Sequence, residues 1–105
     1  MSADLRKPHW RDIRDTLQGK RQVVHDRLMI HFPCTAIELA EIMRWDKTSV
    51  RPRLCELHHA GLCEPTGERR NGEHIWRGIA LAVAEARARE VEQRAMTAQQ
   101  MPLFV

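Results

Sequence analysis

The segment CTAIELAEIMRWDKTSVRPRLCELHHAGLCEPTGERRNGEHIWR, residues 34–77, determines the fold that this sequence predicts. Thr35 stands three residues before Glu38, which is the spacing of a capping box at the start of a helix. Apolar residues then recur at helical spacing, at Ile37, Leu39, Ala40 and Met43. This pattern buries one face and leaves Glu38 and Glu41 outside. We therefore expect a first short helix that ends near Arg44.

A second helix is predicted a few residues later. Its apolar positions are Val50, Leu54 and Leu57. Pro52 must lie in its first turn, because a proline deeper in a helix loses a hydrogen bond and clashes with the preceding turn. We expect the helix to start at Thr48 or Ser49 and to end at Gly61, which can adopt the left-handed conformation. The candidate caps are Asp46, Thr48 and Ser49.

A β-hairpin is predicted after the second helix. An extended segment opens at Leu62 and stops at Pro65, and a second strand follows a turn. The residues that supply the turn chemistry are Gly67, Asn71 and Gly72. Arg69 and Arg70 fall at the tip of this hairpin.

Two short helices joined by a turn of about three or four residues match the geometry that places a helix in the DNA major groove. Arg51 can form a bidentate contact with guanine, whereas hydroxyl and lysine side chains suit phosphates or thymine methyl groups. The residues predicted to contact DNA are Lys47, Thr48, Ser49, Arg51 and Arg53 on the second helix, and Arg69 and Arg70 on the hairpin.

The runs TAIELA, TSVRPRLCELHHAGL and GERRNGEHIW, within residues 35–76, resemble the winged helix-turn-helix DNA-binding domains of bacterial and phage regulators, including the MarR-like group. The resemblance implies an α+β fold with a three-helix core and a short β-hairpin wing. It also implies a recognition helix at about 48–60 and a wing at 68–73. The sequence departs from the family in the inter-helix turn, where many of these domains have Gly and this chain has Arg44 and Trp45.

The flanking segments complete the predicted organisation. Residues 1–15 read as a flexible basic arm, and residues 16–78 hold the DNA-binding domain, whose first helix ends before Pro33. Residues 79–97 are rich in Ala, Glu and Arg and predict an additional C-terminal helix. This helix either packs on its own domain or provides the seam of a homodimer. Residues 98–105 form a tail.

The tail contains a short apolar run after a polar spacer. Residues 100–104, QMPLF, resemble the peptide by which bacterial replication and repair proteins bind the polymerase sliding clamp. In that interpretation Gln100 makes polar contacts, and the pocket-filling residues are Met101, Leu103 and Phe104. The alternative is that the tail folds onto its own domain or onto a dimer partner. A replication or repair adaptor is therefore the alternative function.

Composition adds weaker constraints. The net charge of the 105 residues is only +3, so the placement of charge matters more than its sum. Residues 1–34 carry seven Lys and Arg against four Asp, whereas residues 35–78 carry seven charges of each sign. In the latter range the basic side chains concentrate on the second helix and the hairpin tip. A domain that is neutral in sum can therefore present one positive face.

Catalysis, metal binding and membrane association are not predicted. The His and Cys residues form no Cys-x-x-Cys pair, and no nucleophile stands beside a Gly-rich oxyanion turn, so we expect no metal, no cofactor and no enzymatic activity. The three cysteines, Cys34, Cys55 and Cys63, fit no disulfide spacing. A redox-sensing role of Cys34 or Cys55 stays open. The first 30 residues lack a signal peptide and no window approaches a membrane span, so we expect a cytoplasmic protein.

These observations predict a sequence-preferring double-stranded DNA-binding protein. The most specific form of the prediction is a small transcriptional regulator of a bacterium or phage.

Overall fold

The structure, a computed structural model, describes residues 10–31 and 33–100, and only the backbone of residues 97–100. Within these residues the chain is α+β, as predicted, with five helices and one two-stranded antiparallel sheet. The elements are α1 (Ile13–Thr16), α2 (Gly19–Ile30), α3 (Ala36–Met43), α4 (Lys47–His59), β1 (Cys63–Arg70), β2 (Glu73–Gly78) and α5 (Leu81–Gln100). This layout is compatible with a winged-helix-like arrangement. None of the described helices is long and apolar enough to cross a membrane.

Helix α3 begins with the predicted capping box. The backbone N–H of Glu38 donates to the Thr35 hydroxyl at 3.1 Å, and the Thr35 N–H donates to the Glu38 carboxylate at 2.9 Å. Arg44 ends the helix in the left-handed conformation, with φ 59°. The N–H of Trp45 then donates to the Ala40 carbonyl at 2.9 Å, the six-to-one bond of a Schellman ending. Arg44 therefore takes the position that glycine usually occupies.

Helix α4 begins at Lys47, which is earlier than the predicted start at Thr48 or Ser49. The cause is Asp46, whose carboxylate accepts from the Thr48 N–H at 3.3 Å and whose carbonyl accepts from the Ser49 N–H at 2.8 Å. Pro52 consequently lies beyond the first turn, inside the helix, which corrects the expectation. Because proline has no N–H, the Thr48 carbonyl lacks its usual donor four residues ahead.

The end of α4 follows the prediction. Gly61 adopts φ 82°, and its N–H donates to the His58 carbonyl at 3.0 Å. The Leu62 N–H donates to the Leu57 carbonyl at 2.8 Å, so α4 closes with the same hydrogen-bond pattern as α3.

The hairpin is longer than predicted. Strand β1 continues past Pro65 to Arg70, so the predicted stop at Pro65 is wrong. A proline is tolerated there because β1 is an edge strand. The turn is Asn71-Gly72, and both residues have positive φ, as a two-residue type I′ hairpin turn requires. Gly67 was also predicted to belong to the turn, but it lies within β1, where the strand register shifts. Arg70 is paired with Glu73 beside this turn.

A short third segment pairs with the hairpin. Cys34 and Trp76 form an isolated antiparallel bridge, in which each N–H donates to the other residue's carbonyl, at 3.1 and 2.8 Å. Since Cys34 immediately precedes the cap of α3, this bridge fixes the start of that helix against β2.

The core lies among α2, α3 and α4. The predicted core face of α4 is confirmed, because Val50, Leu54 and Leu57 are buried. They pack with other fully buried or nearly buried side chains, namely Val24, Leu28, Leu39 and Leu62. Met29 and Ile30, the last residues of α2, are exposed, and Phe32 lies outside the described residues.

Residues 10–16 belong to the folded domain, in contrast to the arm predicted over residues 1–15. Ile13, in α1, is only 2% exposed, and Trp10 packs against the core. The Arg14 guanidinium lies 3.4 Å from the Glu85 carboxylate of α5. The rest of the predicted arm, residues 1–9, lies outside the described residues.

The first half of α5 packs on its own domain. Ala84 is buried, and Leu81 and Ala88 pack against the core. Farther along the helix Val91 and Met96 are exposed. The predicted packing of this helix on its own domain is therefore confirmed for its first half. The other alternative, a homodimer, stays a prediction.

Candidate nucleic-acid interface

The candidate interface is the outer face of α4 together with the hairpin. Burial of Val50, Leu54 and Leu57 turns the opposite side of the helix to solvent. Side chains predicted to point outward are exposed, namely Thr48, Arg51, Pro52, Cys55, Glu56 and His59, whereas Ser49 is half-buried. Lys47, the first residue of α4, is also exposed.

Arg51 lies on the flank of α4 that faces the hairpin. Its Nη2 atom donates to Glu73 Oε1 at 2.8 Å. Both side chains keep contact with solvent, with exposed fractions of 47% for Arg51 and 29% for Glu73. The hairpin therefore touches the helix through a residue that was predicted to read bases.

Arg53 lies on the opposite flank, because two residues along a helix correspond to a rotation of about 200°. Its Nε atom is 2.6 Å from Glu56 Oε1. Both residues line a shallow pocket with the start of α2, Gln18–Arg21. Arg53 is therefore separated from the arginines of the hairpin, although the sequence grouped them together.

Arg70 makes the second contact between the hairpin and the helices. Its Nη1 atom donates to both carboxylate oxygens of Glu38, at 2.6 and 2.8 Å. This hydrogen bond is the main reason that the pKa of Glu38 is lowered, and the Thr35 N–H adds to the effect. The same hydrogen bond raises the pKa of Arg70. Glu38 thus both completes the capping box of α3 and binds Arg70.

Two of the predicted cations have no carboxylate partner in the part of the chain that the structure describes. Lys47 forms no ion pair there, and the Nη2 atom of Arg69 lies 3.5 Å from the His74 ring atom Nε2. These two side chains supply the uncompensated positive charge of the predicted set. Arg51, Arg53 and Arg70 are neutralised locally by carboxylates.

Aromatic contacts join the end of α4 to the base of the hairpin. The Trp76 ring meets the His58 ring edge-on, with centroids 5.3 Å apart. His74 approaches the same indole at 6.1 Å in a similar geometry. Such edge-to-face contacts favour a defined ring orientation, so they help to hold the hairpin at a fixed angle to α4.

The cysteines differ in their chemistry. Burial raises the pKa of Cys63 to about 12, and its thiol donates to the Leu54 carbonyl at 3.4 Å. Burial also raises the pKa of Cys34. Both groups are therefore protonated thiols at neutral pH, which disfavours the redox role considered for Cys34. Cys55 is exposed on the outer face of α4.

A groove of about 420 Å³ lies between α5 and the end of α4. Its walls are mainly apolar and include Trp10, Ile13, Ala84, Ala88 and Val91. The groove also reaches Cys63, but the buried, protonated thiol there is a poor nucleophile. Residues 10–31 and 33–96 contain no group of three His, Cys, Asp or Glu side chains that is placed to hold a metal ion.

Among the predicted DNA-binding residues, the structure links Arg51 to Arg70 through Glu73, whereas Arg53 lies on the far flank of α4. Glu73 also belongs to this site, although it is not among the residues predicted from the sequence. Its only local signal is an acidic residue directly after the Asn-Gly turn, paired across the hairpin with Arg70. The predicted partner-binding residues Met101, Leu103 and Phe104 lie outside the described residues, as does the side chain of Gln100.

Comparison of the chain with protein-family models, with curated proteins and with solved structures gives no significant match.

Proposed function

We propose that the protein binds double-stranded DNA with sequence preference as a winged helix-turn-helix domain, and that it regulates transcription in a bacterium or phage. In this proposal α4 is the recognition helix and the hairpin is the wing. One observation carries it. The polar outer face of α4, with Thr48 and Arg51, is exposed to solvent, and Arg51 contacts Glu73, the cross-strand neighbour of Arg70 in the hairpin.

Arg51 is the proposed base-reading residue. A guanidinium has five N–H donors in a plane, and the contact with Glu73 uses one of them. The remaining donors suffice for a bidentate bond to the N7 and O6 atoms of guanine. Thr48, one turn nearer the start of the helix, supplies a methyl and a hydroxyl group for a neighbouring base pair or phosphate.

Backbone contacts are assigned to the residues around this reading position. Lys47 and Arg69 offer positive charge that no carboxylate of the described chain neutralises, so they are suited to phosphates. Arg70 can reach a phosphate only by sharing or exchanging its contact with Glu38. Arg53 lies beside the start of α2 and would meet the backbone on the other side of the groove.

The decisive test is a selection of random duplexes with the purified protein at physiological salt, followed by measurement of binding to the selected duplex. We expect Arg51→Ala to reduce the affinity for that duplex by about 1–3 kcal/mol and to relax its preference at one base pair. Arg69→Ala, which removes a wing cation that has no carboxylate partner among the described residues, should weaken binding to all duplexes alike and lower the salt slope by about one unit.

The matched control is Arg94→Ala, which removes an exposed, ion-paired arginine from α5, away from the proposed interface. It should leave both affinity and preference unchanged. If the parent protein enriches no sequence, or if Arg51→Ala binds every duplex as the parent does, the proposed function is wrong.

A further inference from the structure

We infer that Glu73 of the wing is a specificity-determining residue of the DNA interface, which positions the Arg51 guanidinium for base edges and opposes its capture by phosphates. This inference rests on the proposed function. It assigns a role to an acidic residue within a surface whose expected partner is a polyanion.

The backbone holds Glu73 in a defined place. It is the first residue of β2 and follows the Asn71-Gly72 turn, in which both residues have positive φ. A two-residue turn of this type fixes the register of the strands, and Glu73 pairs directly with Arg70. The backbone of Glu73 is therefore held at a defined position at the start of β2, from which its side chain reaches Arg51 of α4.

The two members of this cross-strand pair bind different helices. Glu73 accepts from Arg51 of α4 at 2.8 Å, whereas Arg70 donates to Glu38 of α3 at 2.6 Å. The wing is thus attached to both helices of the helix-turn-helix by ion pairs. It supplies the carboxylate in the contact with α4 and the guanidinium in the contact with α3. A shift of the wing along either helix would break one of these contacts, so the position of Glu73 over Arg51 is doubly fixed.

The contact orients the Arg51 side chain before DNA arrives. An arginine side chain loses rotamer freedom when it binds, and a side chain that is already held in its bound orientation loses less. Glu73 engages Nη2 and leaves the other donors of the guanidinium available. A guanidinium held in this way gains more net binding free energy from a correctly placed pair of acceptors than a freely rotating guanidinium does.

The carboxylate also selects between partners of Arg51. The N7 and O6 atoms of guanine are neutral acceptors, so they can approach the guanidinium beside Glu73 without charge repulsion. A phosphate that approaches Arg51 brings its negative charge close to the Glu73 carboxylate. Glu73 should therefore weaken sequence-independent binding more than binding to the preferred duplex, which is a way of gaining specificity through repulsion.

The test compares Glu73→Gln with Glu68→Gln, using the parent protein's selected duplex and a random duplex. Both variants remove one negative charge from the exposed wing, but Glu68 makes no contact with Arg51 in the structure. We expect Glu73→Gln to bind the random duplex more tightly and to lower the ratio of preferred to random affinity by roughly threefold to 100-fold, the range for directly contacting residues. Glu68→Gln should strengthen binding to both duplexes alike and leave the ratio unchanged.

A double-mutant cycle with Glu73→Ala and Arg51→Ala separates positioning from a structural effect. If Glu73 acts through Arg51, Glu73→Ala lowers the ratio in the parent and has no further effect on it in the Arg51→Ala protein. If Glu73→Ala still lowers the ratio of preferred to random affinity in the Arg51→Ala protein, Glu73 does not act by positioning Arg51.

The experiments distinguish failure of the proposed function from failure of the inference about Glu73. A parent protein with no preferred duplex overturns the proposed function and this inference together. A parent with a clear preference that Glu73→Gln and Glu68→Gln change equally overturns this inference alone.

Discussion

Glu38 shows how one carboxylate can organise several parts of a small domain. It completes the capping box of α3 and accepts from the Arg70 guanidinium of the hairpin. Both contacts are made with the ionised form of the carboxylate, and both lower its pKa below the ordinary value of 4.5. Folding stability must therefore depend on the protonation of this residue.

The first prediction concerns Glu38→Gln. Because the pKa of Glu38 is lower in the folded state, its contribution to stability is present above about pH 4.5 and is lost as the pH falls through the folded-state pKa. The variant should be less stable than the parent at pH 7, and the difference should narrow as the pH is lowered toward and below the folded-state pKa. Urea unfolding at a series of pH values measures this.

The control for that experiment is Glu41→Gln, which neutralises an exposed acid of the same helix. Glu41 has no ion-pair partner among the described residues, so its variant should follow the acid dependence of the parent. A constant stability difference between Glu38→Gln and the parent from pH 7 to pH 2 would contradict the assignment.

At the scale of elements, the two helices α3 and α4 end in the same way with different residues. Each closes with a left-handed residue and a six-to-one hydrogen bond, but the residue is Arg44 in one case and Gly61 in the other. A residue with a β-carbon is disfavoured in this conformation, whereas glycine is not. The turn between the helices therefore carries a conformational strain that the end of α4 avoids.

The second prediction is a reciprocal pair of substitutions. Arg44→Gly should raise the free energy of unfolding by up to about 1 kcal/mol, because it relieves the left-handed strain. Gly61→Ala should lower it by about 1 kcal/mol for the same reason. An added β-carbon at Gly61 would meet no atom within 4 Å, so a loss of stability there measures conformation and not a clash. Thermal and urea unfolding would show both effects, and equal stability of all three proteins would contradict them.

Local sequence signals explain which elements could be predicted. The Thr35-to-Glu38 spacing, the Asn-Gly turn and Gly61 each act over a few residues, and each appears in the structure as expected. The start of α4 was misplaced because three residues could cap it and only the structure shows that Asp46 does. Pro65 was misread as a stop because proline ends a central strand but not an edge strand.

Long-range contacts explain what could not be predicted. Arg51 and Glu73 are 22 residues apart, and Arg70 and Glu38 are 32 residues apart. No periodicity links residues at such separations, so the charge compensation of the candidate interface emerges only in three dimensions. The burial of Ile13 could not be predicted for a related reason. A single apolar residue among charged ones shows no periodicity, and the contact with α5 that buries it is distant in the sequence.

For the whole molecule, the packing of α1 and α5 extends the hydrophobic core beyond the three central helices. Ile13 is buried, and the groove that it lines is bounded by Ala84, Ala88 and Val91 of α5. Arg14 and Glu85 lie within 3.4 Å of each other across the same contact. Helix α1 and the first half of α5 are therefore joined to each other as well as to the core.

The third prediction tests this extended core. Ile13→Ala should lower the free energy of unfolding by about 2–5 kcal/mol, the cost of removing a large aliphatic group from a packed site. The matched control is Ile30→Ala, the same substitution at a position that is 72% exposed, which should change stability by less than about 0.5 kcal/mol. Equal effects in urea unfolding would mean that α1 does not contribute to the core.

The bridge between Cys34 and Trp76 has a kinetic consequence for the proposed complex. Since β2 is hydrogen-bonded at Trp76 to the residue before the cap of α3, the base of the hairpin is held in place against the helices. A partner would meet one preassembled body, and no slow folding of a loop would have to follow the encounter. The speed of association would then be set by diffusion and electrostatic steering, and the lifetime of the complex by the quality of the fit.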